Sequence, residues 1–244
     1  MNNAIIILSG GLDSSVVAYQ IKSQNPKKIK SIFFNYGQRT LEQEEFAARE
    51  ISKRINSEFI RVDIPWLGKI SPSLINKPNQ DVHKTTEEDI EDIEKEKKDI
   101  TNWWIPCRNS IFINIALAYA ESEYLTKKEI YDIYLGIKDE GKVAMKDTTP
   151  EFLEVMNKMQ EHATNDGIFK IIAPLIDRDK PETVEIGNKL GVPFELTYSC
   201  YVGEKFKDGK LVHCGYCSNC MQRKKAFHFS TIKDPSEYKN VQSK

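Results

Sequence analysis

Apolar and polar positions alternate along the chain in two periods. Ala4-Ile-Ile-Ile-Leu8 is a short unbroken apolar run, the pattern of a strand buried on both faces. A Gly-rich turn follows, and then a helix from about Asp13 to Ser23. Ile29–Tyr36 predicts a second strand. Leu41–Ile55 predicts a helix, with Ala48, Ile51 and Ile55 at helical spacing, and Phe59–Ile64 a third strand. Strand–helix–strand alternation from the first residues implies right-handed crossovers, and hence an α/β fold with a parallel sheet and helices on both faces.

Between Pro65 and Asn102 the alternation stops. This stretch holds Pro65, Pro72 and Pro78, then a charge run over Glu87–Asp99. We expect a solvated insertion here, with a lid over a site as the alternative. Thr85 and Glu88 fit a capping box, and Ile90 with Ile93 gives a thin apolar stripe. Regular elements then return: a helix over Ser110–Glu123, a strand over Ile130–Gly136, a helix over Pro150–Ala163 and a strand over Ile168–Leu175. Asp179 and Glu182 frame a second capping box with Pro181 in the first turn, and that helix should stop at Gly191, before Pro193. The expected organisation is a nucleotide-binding domain over residues 1–196, with 65–102 as its charged insertion, and a small C-terminal module over 197–244.

The 35 basic and 36 acidic residues nearly cancel, which argues against a dominant basic surface for nucleic acid. No segment reads as an export signal or a membrane span, so a cytoplasmic protein is expected.

Two motifs carry chemistry. The first is Ser9-Gly10-Gly11-Leu12-Asp13-Ser14-Ser15, between the first strand and the first helix, with Leu8 ending the strand. Ligands of open parallel sheets bind at this end of the strands. The two glycines let the backbone turn tightly and approach an anion. Successive N–H groups then form a concave nest at the positive end of the helix. Ser9, Ser14 and Ser15 add hydroxyls. Asp13 does not attract phosphate, so it holds Mg²⁺ or caps the helix. The loop is neither a Walker A motif nor a dinucleotide fingerprint.

The second is Cys214-Gly-Tyr-Cys217-Ser-Asn-Cys220, with Cys200 upstream. Four thiolates close a tetrahedral Zn²⁺ site with no open position, a structural metal; an iron–sulfur cluster is the alternative. Cys107 stands apart and is expected to be a small apolar filler.

The heptapeptide Ser9–Ser15 resembles the Ser-Gly-Gly-x-Asp-Ser signature of the PP-loop ATP pyrophosphatases. That resemblance implies an adenine nucleotide alpha hydrolase-like, Rossmann-like fold and cleavage of ATP between its α and β phosphates. Further stretches narrow it: Tyr36-Gly37-Gln38-Arg39, Pro106-Cys107-Arg108-Asn109, Ile172-Ala173-Pro174-Leu175 with Lys180 beyond, Ser199-Cys200-Tyr201, and His213-Cys214-Gly215 through Cys220 to Arg223. Together they resemble the 7-cyano-7-deazaguanine synthase family of queuosine and archaeosine biosynthesis, from Ile5 to about Phe227.

The resemblance implies ATP, ammonia and a 7-deazaguanine carboxylic acid as substrates, and a homodimer. It makes Asp13, Arg39, Arg108 and Lys180 the candidate catalytic residues. Tyr36, Gln38, Arg39, Asn109 and Asp147 are the candidate substrate contacts. Thr40 stands where the family has His, Cys107 where it has Gly or Ala, and Gly141 where it has Asp. Met145–Phe152 keeps Asp147 and Pro150-Glu151-Phe152 of the family's Tyr-Pro-Asp-Cys-Arg-Pro-Glu-Phe segment, without its Tyr, Cys and Arg. Three alternatives stay open: a relative that joins a deazaguanine carboxyl to another amine, a tRNA thiolase, and a zinc-dependent RNA-binding protein with an inactive loop. The basic run Arg223-Lys224-Lys225 is the only support for the last.

Overall fold

The structure is a computed structural model that describes residues 2–86, 89, 92, 94–95, 101–139, 141, 145–204, 206 and 208–239. Strands β1 (Asn3–Ile7), β2 (Ile29–Asn35), β3 (Glu58–Asp63), β4 (Tyr131–Leu135) and β5 (Ile171–Ile172) form one sheet in the order β3-β2-β1-β4-β5. Every pairing is parallel. The connecting helices are α1 (Leu12–Ser23), α2 (Leu41–Arg54), α3 (Pro65–Ile70), α4 (Arg108–Lys127), α5 (Pro150–Ala163) and α6 (Lys180–Lys189). Beyond them α7 (Ser218–Phe229) and a two-stranded ribbon of β6 (Val212–His213) and β7 (Glu237–Tyr238) complete the chain. Among the described residues no helix is long and apolar enough to cross a membrane.

The apolar runs are continuous because both faces of the sheet are covered. Ile5, Ile32, Phe34 and Ile133 face one side, where Phe112, Ile113, Ala116 and Leu117 of α4 meet them. Ala4, Ile6, Phe33 and Tyr134 face the other, against Val16, Val17 and Ile21 of α1, Ile51 of α2 and Val184 of α6. Ala226 and Phe227 of α7 join this second cluster, so packing runs across the compositional change near residue 197.

The chain order reverses between β1 and β4, which makes the strand ends there the switch point of the sheet. Closure at that point requires Gly136. A Cβ on it would sit 2.7 Å from Ser14 N and 2.8 Å from Ser14 Cα, both backbone atoms.

Most expected elements lie within a residue or two of their predicted bounds, and α5 matches at both ends. The Asp179–Glu182 capping box forms with both of its hydrogen bonds. Three expectations need correction. The strand expected over 168–175 pairs only at Ile171–Ile172: Asn157 of α5 accepts from Ile171 N at 2.9 Å and donates to Ile171 O at 2.8 Å. A side chain thereby closes what would otherwise be an open sheet edge.

The expected insertion divides in two. Its first part is core, since Leu67 of α3 and Ile75 are buried in the cluster beneath β2. Thr86 and Asp89 exchange two hydrogen bonds, one residue along from the expected box, while Glu88, Ile90 and Ile93 lie outside the described residues. Cys107 is exposed, not a filler, and holds a left-handed φ of 54° at the N-cap of α4.

Replacing Gly136 by Ala should destabilise the protein by about 1–3 kcal/mol, the usual cost of overpacking, because the atoms it would meet are backbone of Asp13 and Ser14, which cannot rotate away as a side chain can. Urea denaturation reads this directly. An unchanged midpoint would show that β4 and α1 do not meet as closely as described.

Candidate active site

The loop after β1 is shaped by its neighbours on both sides. Gly10 has φ 78°, and a Cβ there would lie 2.6 Å from Glu44 O and 2.8 Å from Ala48 N. Only glycine combines that backbone conformation with such an approach to α2. The Gly10 carbonyl accepts from Tyr198 N at 2.9 Å, which ties the loop to the segment that leads to Cys200. Within the loop, Ser9 Oγ lies 3.0 Å from Ser14 Oγ and accepts from Gly11 N at 3.3 Å. Gly11 is the N-cap of α1 and makes no side-chain cap. The first amides of α1 therefore keep the donor capacity and positive end that favour an anion.

A cavity of about 270 Å³ opens over the loop. Leu8, Ser9, Gly11, Leu12, Asp13 and Ser14 line it, whereas Gly10 and Ser15 do not. A second cavity of about 500 Å³ adjoins it. Asp13, Arg108, Asn109, Gly136, Lys180 and Tyr201 line both. Asp13 lies 3.5 Å from Lys180 Nζ and 3.6 Å from Lys138 Nζ. Burial alone would raise its pKa, but Lys180 and then Lys138 outweigh that and hold the carboxyl below its ordinary range. Asp13 Oδ1 is buried and makes no hydrogen bond among the described residues, although Lys138 Nζ faces it at 3.6 Å; a carboxylate oxygen is the kind of ligand a hard cation takes.

Arg108 lies at the start of α4. Its burial opposes the charge, and Tyr36, Asp147 and Tyr201 around it more than restore it. Asp147 is itself buried, which raises its pKa against the pull of Arg108.

Not every candidate faces the cavities. Tyr36 lines the first, and Asn109 lines both while donating to Asp147 O at 3.0 Å. Gln38 is buried and engaged: its amide oxygen accepts from Tyr36 N at 2.9 Å, and its amide nitrogen donates to Phe34 O and to Glu44. Arg39 donates to the backbone carbonyls of Val202 at 3.1 Å and Gln80 at 3.0 Å, with longer contacts to those of Pro78 and Lys77. It ties the insertion to the C-terminal segment.

Cys200, Cys214, Cys217 and Cys220 are buried, and their four sulfurs lie within 4.8 Å of one another. Backbone N–H groups point at the sulfurs: Val202 N and Cys214 N at Cys200, Tyr216 N and Cys217 N at Cys214, and Tyr201 N at Cys217. Such donors stabilise thiolates, so the group suits a metal. Arg223, which is 2 % exposed, braces the module from α7 by bonds to Thr197 Oγ1, Ser199 Oγ and Phe194 O and by its ion pair with Asp234.

The model of the family described as queuosine biosynthesis protein QueC matches residues 3–231. The chain belongs to that family. It is 39 % identical over 235 residues to the 7-cyano-7-deazaguanine synthase of Methanobrevibacter smithii, covering 96 % of this chain and 97 % of that protein. The enzymes of the same name from Methanococcus maripaludis and Methanothermobacter thermautotrophicus are 38 % and 35 % identical, with at least 96 % of each chain covered.

Three residues of this QueC family member were not singled out from the sequence. Lys138 is 6 % exposed and pairs with Asp13. Glu44 lies against the first cavity, and burial pushes its carboxyl up to about 7 against the hydrogen bonds of Thr40 and Gln38. Trp103 lines the second cavity. A lysine two residues beyond a predicted strand end was the one available signal for Lys138.

The depressed pKa of Asp13 fixes a sign. Its contribution to stability is fully present above the unfolded carboxyl value, about 3.9, and is lost as pH falls through the lower native value. Asp13→Asn should therefore be less stable than the wild type at neutral pH, with the difference closing below about pH 4. Denaturant titrations across that range test it. A difference independent of pH would show that the two lysines do not set the Asp13 charge.

Proposed function

We propose that this chain is an ATP-dependent 7-cyano-7-deazaguanine synthase, which converts 7-carboxy-7-deazaguanine and ammonia to the nitrile through two adenylations. One observation carries the reading: a cavity over the phosphate loop and a second cavity share a wall that contains Asp13, Arg108 and Lys180. Group transfer between two bound molecules needs them to meet, and the shared wall is where cationic side chains would face a transferring phosphoryl group.

In this reading the amides of the loop at Gly11–Ser14 hold the β and γ phosphates of ATP. A carboxylate oxygen of the acceptor attacks the α phosphorus, and pyrophosphate leaves. Ammonia adds at the acyl carbon, AMP departs with the former carboxyl oxygen, and a proton is lost to give the primary amide. The amide oxygen then attacks the α phosphorus of a second ATP with loss of pyrophosphate, and departure of AMP with a proton leaves the nitrile. Arg108 and Lys180 neutralise the charge that builds on the phosphoryl oxygens. Asp13 would hold Mg²⁺, which shields the phosphates when bound.

Arg39 and Gln38 are assigned to holding the cavity walls, which suits their bonds to backbone better than direct contact with substrate. The four cysteines would hold a structural Zn²⁺, and the module from about residue 197 onward would serve to fix Tyr198 against Gly10. A homodimer is expected on the family resemblance.

Incubation with ATP, ammonium and 7-carboxy-7-deazaguanine, followed by mass spectrometry, tests the reading. The expected product is the nitrile, with AMP and pyrophosphate formed twice per turnover. Accumulation of amide alone, or no product at all, would overturn it.

A further inference from the structure

The residues that line only the second cavity differ in kind from those around the phosphate loop. Trp103 is 4 % exposed, and its ring lies 4.5 Å from that of Tyr201 at an angle of 32°. Its indole nitrogen is buried and has no hydrogen-bond partner among the described residues. Thr85, on the same cavity, is held in place by its backbone N–H, which donates to Tyr216 O at 2.9 Å. Its hydroxyl is likewise buried and without a partner. An unpaired buried polar group is costly, so two of them on residues that line one cavity point to a ligand that completes them. An indole N–H only donates, while a hydroxyl does either.

The cavity also carries Lys95, Arg108, Lys138 and Lys180 against the carboxylates of Asp13 and Asp89. Its volume of about 500 Å³ lies within the roughly 300–1,000 Å³ of small-molecule sites.

We infer that the second cavity is the acceptor site, and that Trp103 and Thr85 read the hydrogen-bonding edge of a planar, anionic heteroaromatic ring. The inference rests on the proposed function, and names the part of the chain that selects its substrate. The Trp103 indole N–H donates to a ring carbonyl or ring nitrogen, and the Thr85 hydroxyl serves the neighbouring position on that edge. The aromatic pair of Trp103 and Tyr201 supplies a wall suited to a flat ring. Lys138 lines this cavity and not the first, and its ammonium would attract the ring's carboxylate toward Asp13 and the shared wall. The first cavity, with the loop, is left to ATP.

Two measurements on the full chain test this. The first is steady-state kinetics of the wild type, Trp103→Phe and Thr85→Val, with ATP and 7-carboxy-7-deazaguanine varied in turn. Thr85→Val keeps its bulk and loses the hydroxyl, and Trp103→Phe keeps an aromatic ring and loses the indole N–H. Each should raise KM for the acceptor about 10-fold, the worth of one hydrogen bond, with kcat and the KM for ATP within about 2-fold. The second is fluorescence of Trp103 alone, in a Trp66→Phe/Trp104→Phe background. The acceptor should quench it at saturation and ATP should not, and this holds whatever the stability of the kinetic variants.

A KM that rises for ATP instead, or an acceptor KM that does not move with no quenching, would overturn the inference while leaving the enzyme's activity in place. A wild type that neither turns over nor is quenched by this acceptor would remove the proposed function, and the inference with it.

Discussion

Gly10 turns its carbonyl to the amide of Tyr198 while its Cα faces the backbone of α2 at a distance no side chain allows. The loop after β1 is thus fixed from two directions by residues far away in sequence. On one side Glu44, Ala47 and Ala48 of α2 set how close the loop approaches the helix. On the other, Tyr198 stands two residues before Cys200, so the cysteine group and the loop share one short piece of backbone. Arg223 holds that piece through Thr197 and Ser199. A loop that binds an anion through backbone amides has no side chain to adapt, so its geometry must come from such neighbours.

The same constraint explains the charges at the site. Lys138, Asp13 and Lys180 form a compact group at the switch point of the sheet, with two ammonium groups on one carboxylate. In this structure the carboxylate pairs with Lys180, which lines both cavities, and with Lys138, which lines the second. Negatively charged phosphates there would meet cations that are already in position, with little reorganisation required. Arg108 completes the wall from the start of α4, held between Tyr36, Tyr201 and Asp147.

Much of this was legible in the sequence where the signal is local. The apolar run at β1, the capping box at Asp179 and Pro150 at the start of α5 all act within a few residues, and the structure follows them closely. The loop and the four cysteines were legible for the same reason, as short motifs. What depended on distant contacts was not. Leu67 and Ile75 sit in a stretch broken by prolines, and only their packing beneath β2 makes them core. The outer edge of β5 is covered by Asn157, a side chain of another element. Arg39 reads as a ligand-facing cation, yet it donates to the carbonyl of Val202, 163 residues away. Lys138 and Trp103 gain meaning only once the sheet brings them to the crevice.

The central claim is that the loop after β1 holds pyrophosphate as AMP is handed to an acceptor. Phosphorus NMR of the nucleotide products, with the wild type, ATP, ammonium and 7-carboxy-7-deazaguanine, tests it most directly. The account predicts AMP and pyrophosphate in equal amounts, in step with acceptor consumed. Release of ADP and orthophosphate would contradict it, because the bond broken would then lie beyond the β phosphate and the loop would have another role.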